Sequence, residues 1–90
     1  MQTSDLNHAI AVTDTFVQVL LAEEQAGWAK RFAAIANALR DGDVRLAAHS
    51  FENCSYTGPG SLSDIYAKDE PTFYRAWGEC SRSLRVLAKA

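Results

Sequence analysis

The chain has no apolar run that approaches a membrane span. Stretches such as Val19-Leu20-Leu21-Ala22 fall far short of the roughly 20 residues a bilayer requires. The N-terminus, Met1 to His8, carries an early acid and no positive n-region, so it does not read as a secretory signal. The expectation from both readings is a cytoplasmic protein, unless another machine exports it. Basic charge is also in short supply: nine Lys and Arg against eleven Asp and Glu give a formal charge of −2. A nucleic-acid binder needs a basic face to release counterions from phosphate, so that partner class is set aside. Cysteine is limited to Cys54 and Cys80, and histidine to His8 and His49. Zinc takes three or four clustered Cys, His or carboxylate ligands, and these four residues are scattered singles. One disulfide is arithmetically open, but buried reduced thiols are the favoured reading. Alternating β-branched residues are missing as well, so no strand is predicted beyond a minimal hairpin option at Cys54–Thr57 and Ile65–Ala67.

What is present is apolar material. Of the ninety residues 48% are hydrophobic, including two Trp, three Tyr and four Phe, which is enough for a cooperative core. Ninety residues have room for one such core, so the chain reads as a single domain, 1–90, with an expected radius of gyration of about 12 Å.

The apolar residues repeat at helical spacing. In the first segment Leu6, Ile10, Val17, Leu20 and Leu21 form one set, and Ala9, Val12, Phe16 and Val19 lie beside them. The combined arc is about 200° at 100° per residue, wider than one packing stripe needs. Such a helix is either central in its fold or shares a face with another chain. Ala26-Gly27 reads as the break, with Gly27 suited to a left-handed C′ position. Trp28, Phe32, Ile35 and Leu39 then mark a second helix. Ala29, Ala33 and Ala36 allow close approach on its inner side, and Lys30, Arg31, Asn37 and Arg40 face solvent. Asp41-Gly42-Asp43 ends that helix and caps the next, whose short apolar face is Val44, Ala47, Ala48 and Phe51. Asp69-Glu70-Pro71 announces a last helix carrying Phe73, Trp77, Cys80, Leu84 and Leu87. The fold expected is all-α, a compact bundle of four helices with a Gly/Pro/Ser-rich loop between helices 3 and 4.

That loop, Tyr56-Thr57-Gly58-Pro59-Gly60-Ser61-Leu62-Ser63-Asp64-Ile65-Tyr66, departs furthest from what helix packing requires. In the structural reading Ser61 caps a one-turn helix, Asp64 returns a bond to its backbone, and Leu62, Ile65 and Tyr66 plug the core. In a ligand reading Gly58 and Gly60 expose backbone N–H groups beside the Ser61 and Ser63 hydroxyls, a nest for an anion that must tolerate Asp64. The Gly-Lys-Ser/Thr ending of a phosphate-binding loop is absent. In a third reading Tyr56, Asp64 and Tyr66 contact a protein partner.

Catalytic patterns are thin. A Ser61/His49/Asp64 arrangement lacks the strand-turn-helix that presents a hydrolase nucleophile, and His49 is expected to edge the core. Glu23-Glu24 reads as a solvated acid pair on helix 1. No catalytic, metal or cofactor residue is assigned.

Trp28-Ala29, Phe51 and the run Gly58-x-Gly60-Ser61-Leu62-x-Asp64-Ile65-Tyr66 resemble an uncharacterised family of small bacterial helical proteins with a Gly-x-Gly-Ser-Leu-x-Asp turn. The likeness covers residues 28–66. This chain departs from it in the turn, with Tyr56-Thr57-Gly58-Pro59-Gly60 where members carry Gly-Gly-Met-Gly. The resemblance implies no enzymatic activity, and some members look like immunity or accessory proteins accompanying bacterial toxins.

The expectation is therefore a non-catalytic protein-interaction domain, immunity-like or accessory in role, with Val12, Phe16, Val19, Tyr56, Asp64 and Tyr66 as its partner surface. A homodimer burying the helix-1 face is the plainest use of that surface. The alternative is a small-molecule or anion-binding protein centred on Gly58, Gly60, Ser61, Ser63 and Asp64, with room for weak hydrolytic activity.

Overall fold

The apolar periodicities become helices with nearly the expected bounds. A computed structural model describes residues 3–52 and 67–89 as α1 (Thr3–Ala22), α2 (Ala26–Arg40), α3 (Val44–Glu52) and α4 (Glu70–Lys89). No strand occurs among the described residues. The Gly/Pro/Ser-rich loop, and with it the hairpin option, lies outside them. The radius of gyration is 12.3 Å, in line with the expectation for ninety compact residues. Among the described residues no helix is long and apolar enough to cross a membrane.

α1 packs against α2 on one side and α4 on the other, while the short α3 closes the ring between α2 and α4. This explains the wide apolar arc of α1. Ala9, Val12, Phe16 and Leu20 are buried, and Leu6, Ile10, Val17 and Val19 pack at the edges of the core. The helix is central, and two neighbours cover most of its apolar arc, leaving Leu21 exposed at its edge. Phe16 sits at the centre, its ring 5.0 Å from Phe32, 5.6 Å from Phe73 and 5.5 Å from Trp77. The first two contacts are edge-on, an arrangement worth about 0.5–1.5 kcal/mol beyond the area buried. Trp77 also meets Phe32 and Phe51, so one ring cluster joins all four helices.

Two helix ends share one device. At the end of α2 the Asp43 N–H bonds the Ala38 carbonyl and the Gly42 N–H bonds that of Leu39, with Gly42 at φ 78°. This is a Schellman cap with glycine at its left-handed position. At the end of α1 the Gln25 N–H bonds Leu20 and the Glu24 N–H bonds Leu21, with Glu24 at φ 63°. The break therefore falls three residues before the expected Gly27, which lies inside α2. A non-glycine residue takes the left-handed position here, and no local propensity signals that. Asp43 caps α3 as expected, accepting the N–H of Leu46, and Asp69 caps α4, accepting that of Thr72. An exposed Asp14–Arg40 ion pair ties α1 to the end of α2; such pairs contribute up to about 1 kcal/mol.

Candidate functional site

The partner surface expected from the sequence divides in two. Phe16 is fully buried and Val12 nearly so, which takes both off the surface. Val19 is half-buried against the core. The physical reason is the central position of α1: an arc of about 200° suits contact with two helices as well as contact with another chain. Tyr56, Asp64 and Tyr66 lie outside the described residues, as do Gly58, Gly60, Ser61 and Ser63 of the ligand turn. His49 is exposed on α3 rather than edging the core.

Glu23 is the largest departure from the sequence reading. Its helix ends at Ala22, and the side chain turns inward, 8% exposed, instead of pairing with solvent beside Glu24. Its two carboxylate oxygens accept the backbone N–H groups of Lys68, at 2.7 Å, and Asp69, at 3.0 Å. Those amides lead into α4, whose positive dipole end favours an anion. Glu24 remains exposed and meets the Lys68 ammonium at 3.2 Å. An acid at the C-terminus of α1 is unfavourable for that helix's own dipole, and this is the one sequence signal that it serves another element.

The buried polar pair of the core is Thr13 and Cys80, with Oγ1 and Sγ 3.6 Å apart and both side chains fully enclosed. Burial pushes the Cys80 thiol up to about 11 from its ordinary 9.0, and the Thr13 hydrogen bond offsets only part of that. The thiol stays protonated at neutral pH and is neither exposed nor nucleophilic. Among the described residues no three His, Cys, Asp or Glu side chains come together as a metal ion requires.

The outer face of α4 carries two open hollows lined by charged side chains. Gly78, Ser81, Arg82, Arg85 and Val86 line an open groove of about 380 Å³. A second hollow of about 190 Å³ shares Arg82 and Val86 and adds Ser83 with Asp5 and His8 from the first turns of α1. The absent side chain at Gly78 leaves room, since nothing lies within 4 Å of where a Cβ would stand. Val86 is 55% exposed, and Tyr74, a few turns earlier, is 53% exposed. Arg75, Arg82 and Arg85 are exposed, and none makes an ion pair with a described residue. Cations near the C-terminal end of a helix complement its dipole. That effect fades within the last turn, so it does not account for Arg75 or Arg82.

Compared with known proteins, the chain matches no family model, no curated protein and no solved structure.

Proposed function

We propose that this chain is a non-catalytic protein-interaction domain, and that it engages one partner through the outer face of α4 and the adjoining first turns of α1. The carrying observation is the exposed Val86 beside Arg82 and Arg85 on the rim of a groove, two arginines that make no ion pair with a described residue. Interfaces are enriched in arginine and aromatic residues around apolar anchors, and Arg82, Arg85, Tyr74 and Val86 supply that mixture. The immunity-like or accessory role implied by the family resemblance is the concrete form of this reading. Such a protein needs a rigid body and one recognition face, and an aromatic core joining four helices serves the first need.

The homodimer reading rested on the helix-1 face, most of which the chain's own core covers. Two copies meeting α4 to α4 across a two-fold axis would bring like-charged arginines together, and like charge across an interface is disfavoured. The partner proposed is therefore a different protein.

A photo-crosslinking residue placed at position 86, with a control at the exposed position 45 on α3, tests the reading in the cells that make the protein. A single dominant adduct from position 86, absent from position 45, is the expected result. Equal adducts from both positions, or none from position 86, would overturn it.

A further inference from the structure

Charge is unevenly divided along this chain. α4, Glu70–Lys89, holds four of the nine Lys and Arg and two of the eleven acids, a net of +2, while the rest of the chain carries −4. The overall balance of −2 conceals a basic helix on an acidic body.

The helical wheel gathers that charge. At 100° per residue, Arg75, Gly78, Arg82, Arg85 and Val86 fall within an arc of about 100°, on the side of α4 opposite Phe73, Cys80, Leu84 and Leu87. From Arg75 to Val86 the stripe is about 17 Å long at 1.5 Å per residue. Gly78 opens a notch in it, and Val86 adds an apolar foothold. The bordering acids, Asp5 and Glu79, close no ion pair with the arginines.

Resting on the interaction reading above, we infer that the α4 face recognises an acidic amphipathic helix of the partner protein. Carboxylates at i, i+3 and i+10 on that helix match Arg85, Arg82 and Arg75 in antiparallel register, with i+7 opposite Gly78, since arginine forms two-pronged bonds with carboxylates. A small apolar residue of the partner lies over the Gly78 notch beside Val86. The identity of the charge also corrects the direction of the immunity analogy. An acidic inhibitor covering a basic cleft would use the body of this protein, whereas this face takes the opposite partner. Nucleic acid is the competing polyanion, but the acidic body around the stripe repels an extended phosphate backbone beyond the ends of α4.

The test uses the full chain and a labelled helical peptide with Glu at i, i+3 and i+10, Ala at i+7 and Leu elsewhere on the same face. A matched peptide with Gln for Glu and a single-stranded oligonucleotide serve as competitors. The Glu peptide is expected to bind about tenfold more tightly than the Gln peptide, and to lose about tenfold on Arg82→Glu/Arg85→Glu, as desolvated charge pairs do. Its amide shift changes should be confined to residues 74–86 and the first turns of α1. Both arginines are exposed, so the fold survives, and Arg82→Gln/Arg85→Gln repeats the test without charge reversal. Equal binding of the two peptides, tighter binding of the oligonucleotide, or shifts on another face would overturn the inference. If the Glu peptide fails while the position-86 adduct persists in the double variant, the interaction face stands and its acidic specificity falls. Loss of the position-86 adduct in the unmodified chain removes the interaction reading itself.

Discussion

Glu23 Oε2 accepts the backbone N–H of Asp69 across forty-six residues of sequence, and through it the end of α1 holds the start of α4. The same carboxylate takes the Lys68 N–H, so two donors that precede α4 depend on one side chain. Hydrogen bonds to charged groups contribute about 1.5–3 kcal/mol, and these two are part-buried, so water replaces the carboxylate only in part.

Glu23→Ala is therefore expected to lower stability by about 2–3 kcal/mol, or a Tm fall on the order of 10–20 °C for a domain of this size. Glu23→Gln keeps one acceptor oxygen and should recover about half of the loss. Urea unfolding followed by circular dichroism measures both. A Glu23→Ala variant within experimental error of wild type would show that water replaces the carboxylate at no cost.

Phe16 offers a direct separation between core and surface. Truncating a buried Phe costs about 3–5 kcal/mol, which is most of the stability available to a small domain. Phe16→Ala should broaden or abolish the unfolding transition, and Val12→Asp should do the same by burying a charge. If either variant instead retained its helical signal and cooperative melt, the residue would belong to the surface.

The extent to which these elements are legible in the sequence follows from the range of the forces involved. α2 and α4 are written locally: Trp28, Phe32, Ile35 and Leu39, then Phe73, Trp77, Cys80, Leu84 and Leu87, keep helical spacing, and Asp43 and Asp69 cap where acids are expected. The width of the α1 stripe was legible too, but not its use, because periodicity records how much of a helix is apolar and not what covers it. Glu23 was illegible for another reason. Its partners are backbone amides forty-five and forty-six residues away, which have no side-chain signature. The α4 stripe could have been found by splitting the net charge along the chain rather than summing it. The ligand turn, Gly58 to Asp64, stood out in sequence and lies outside the described residues.

The two Schellman caps make a paired prediction. Glu24 holds a left-handed φ of 63° without being glycine, a conformation that costs about 1–2 kcal/mol for an L-residue. Glu24→Gly removes that strain but loses the exposed Lys68 contact and adds freedom to the unfolded chain. The net expected is a gain of about 0.5–1 kcal/mol. Gly42→Ala runs the other way. A Cβ at Gly42 meets nothing within 4 Å, so the loss of about 1 kcal/mol comes from its φ of 78° alone. Chemical denaturation of the two variants side by side gives the opposite signs, and a shared sign would exclude backbone strain as the cause.

Cys80 makes stability depend on alkaline pH. Its thiol is held up to about 11 in the fold by burial, against 9.0 for the ordinary group. Below pH 9 both folded and unfolded chains keep the proton, and the group favours neither. Between pH 9 and 11 the unfolded chain releases it while the folded chain retains it, so the unfolded state gains and stability falls as pH rises. The loss reaches about 2–3 kcal/mol by the upper end of that window. Tyrosines and lysines titrate over the same range, so the measurement is the difference between wild type and Cys80→Ala. The variant starts less stable because it leaves a small cavity and an unmatched Thr13 hydroxyl, but its stability should decline less steeply above pH 9. Parallel declines in the two proteins would mean that the thiol ionises in place, with Thr13 Oγ1 donating to the thiolate.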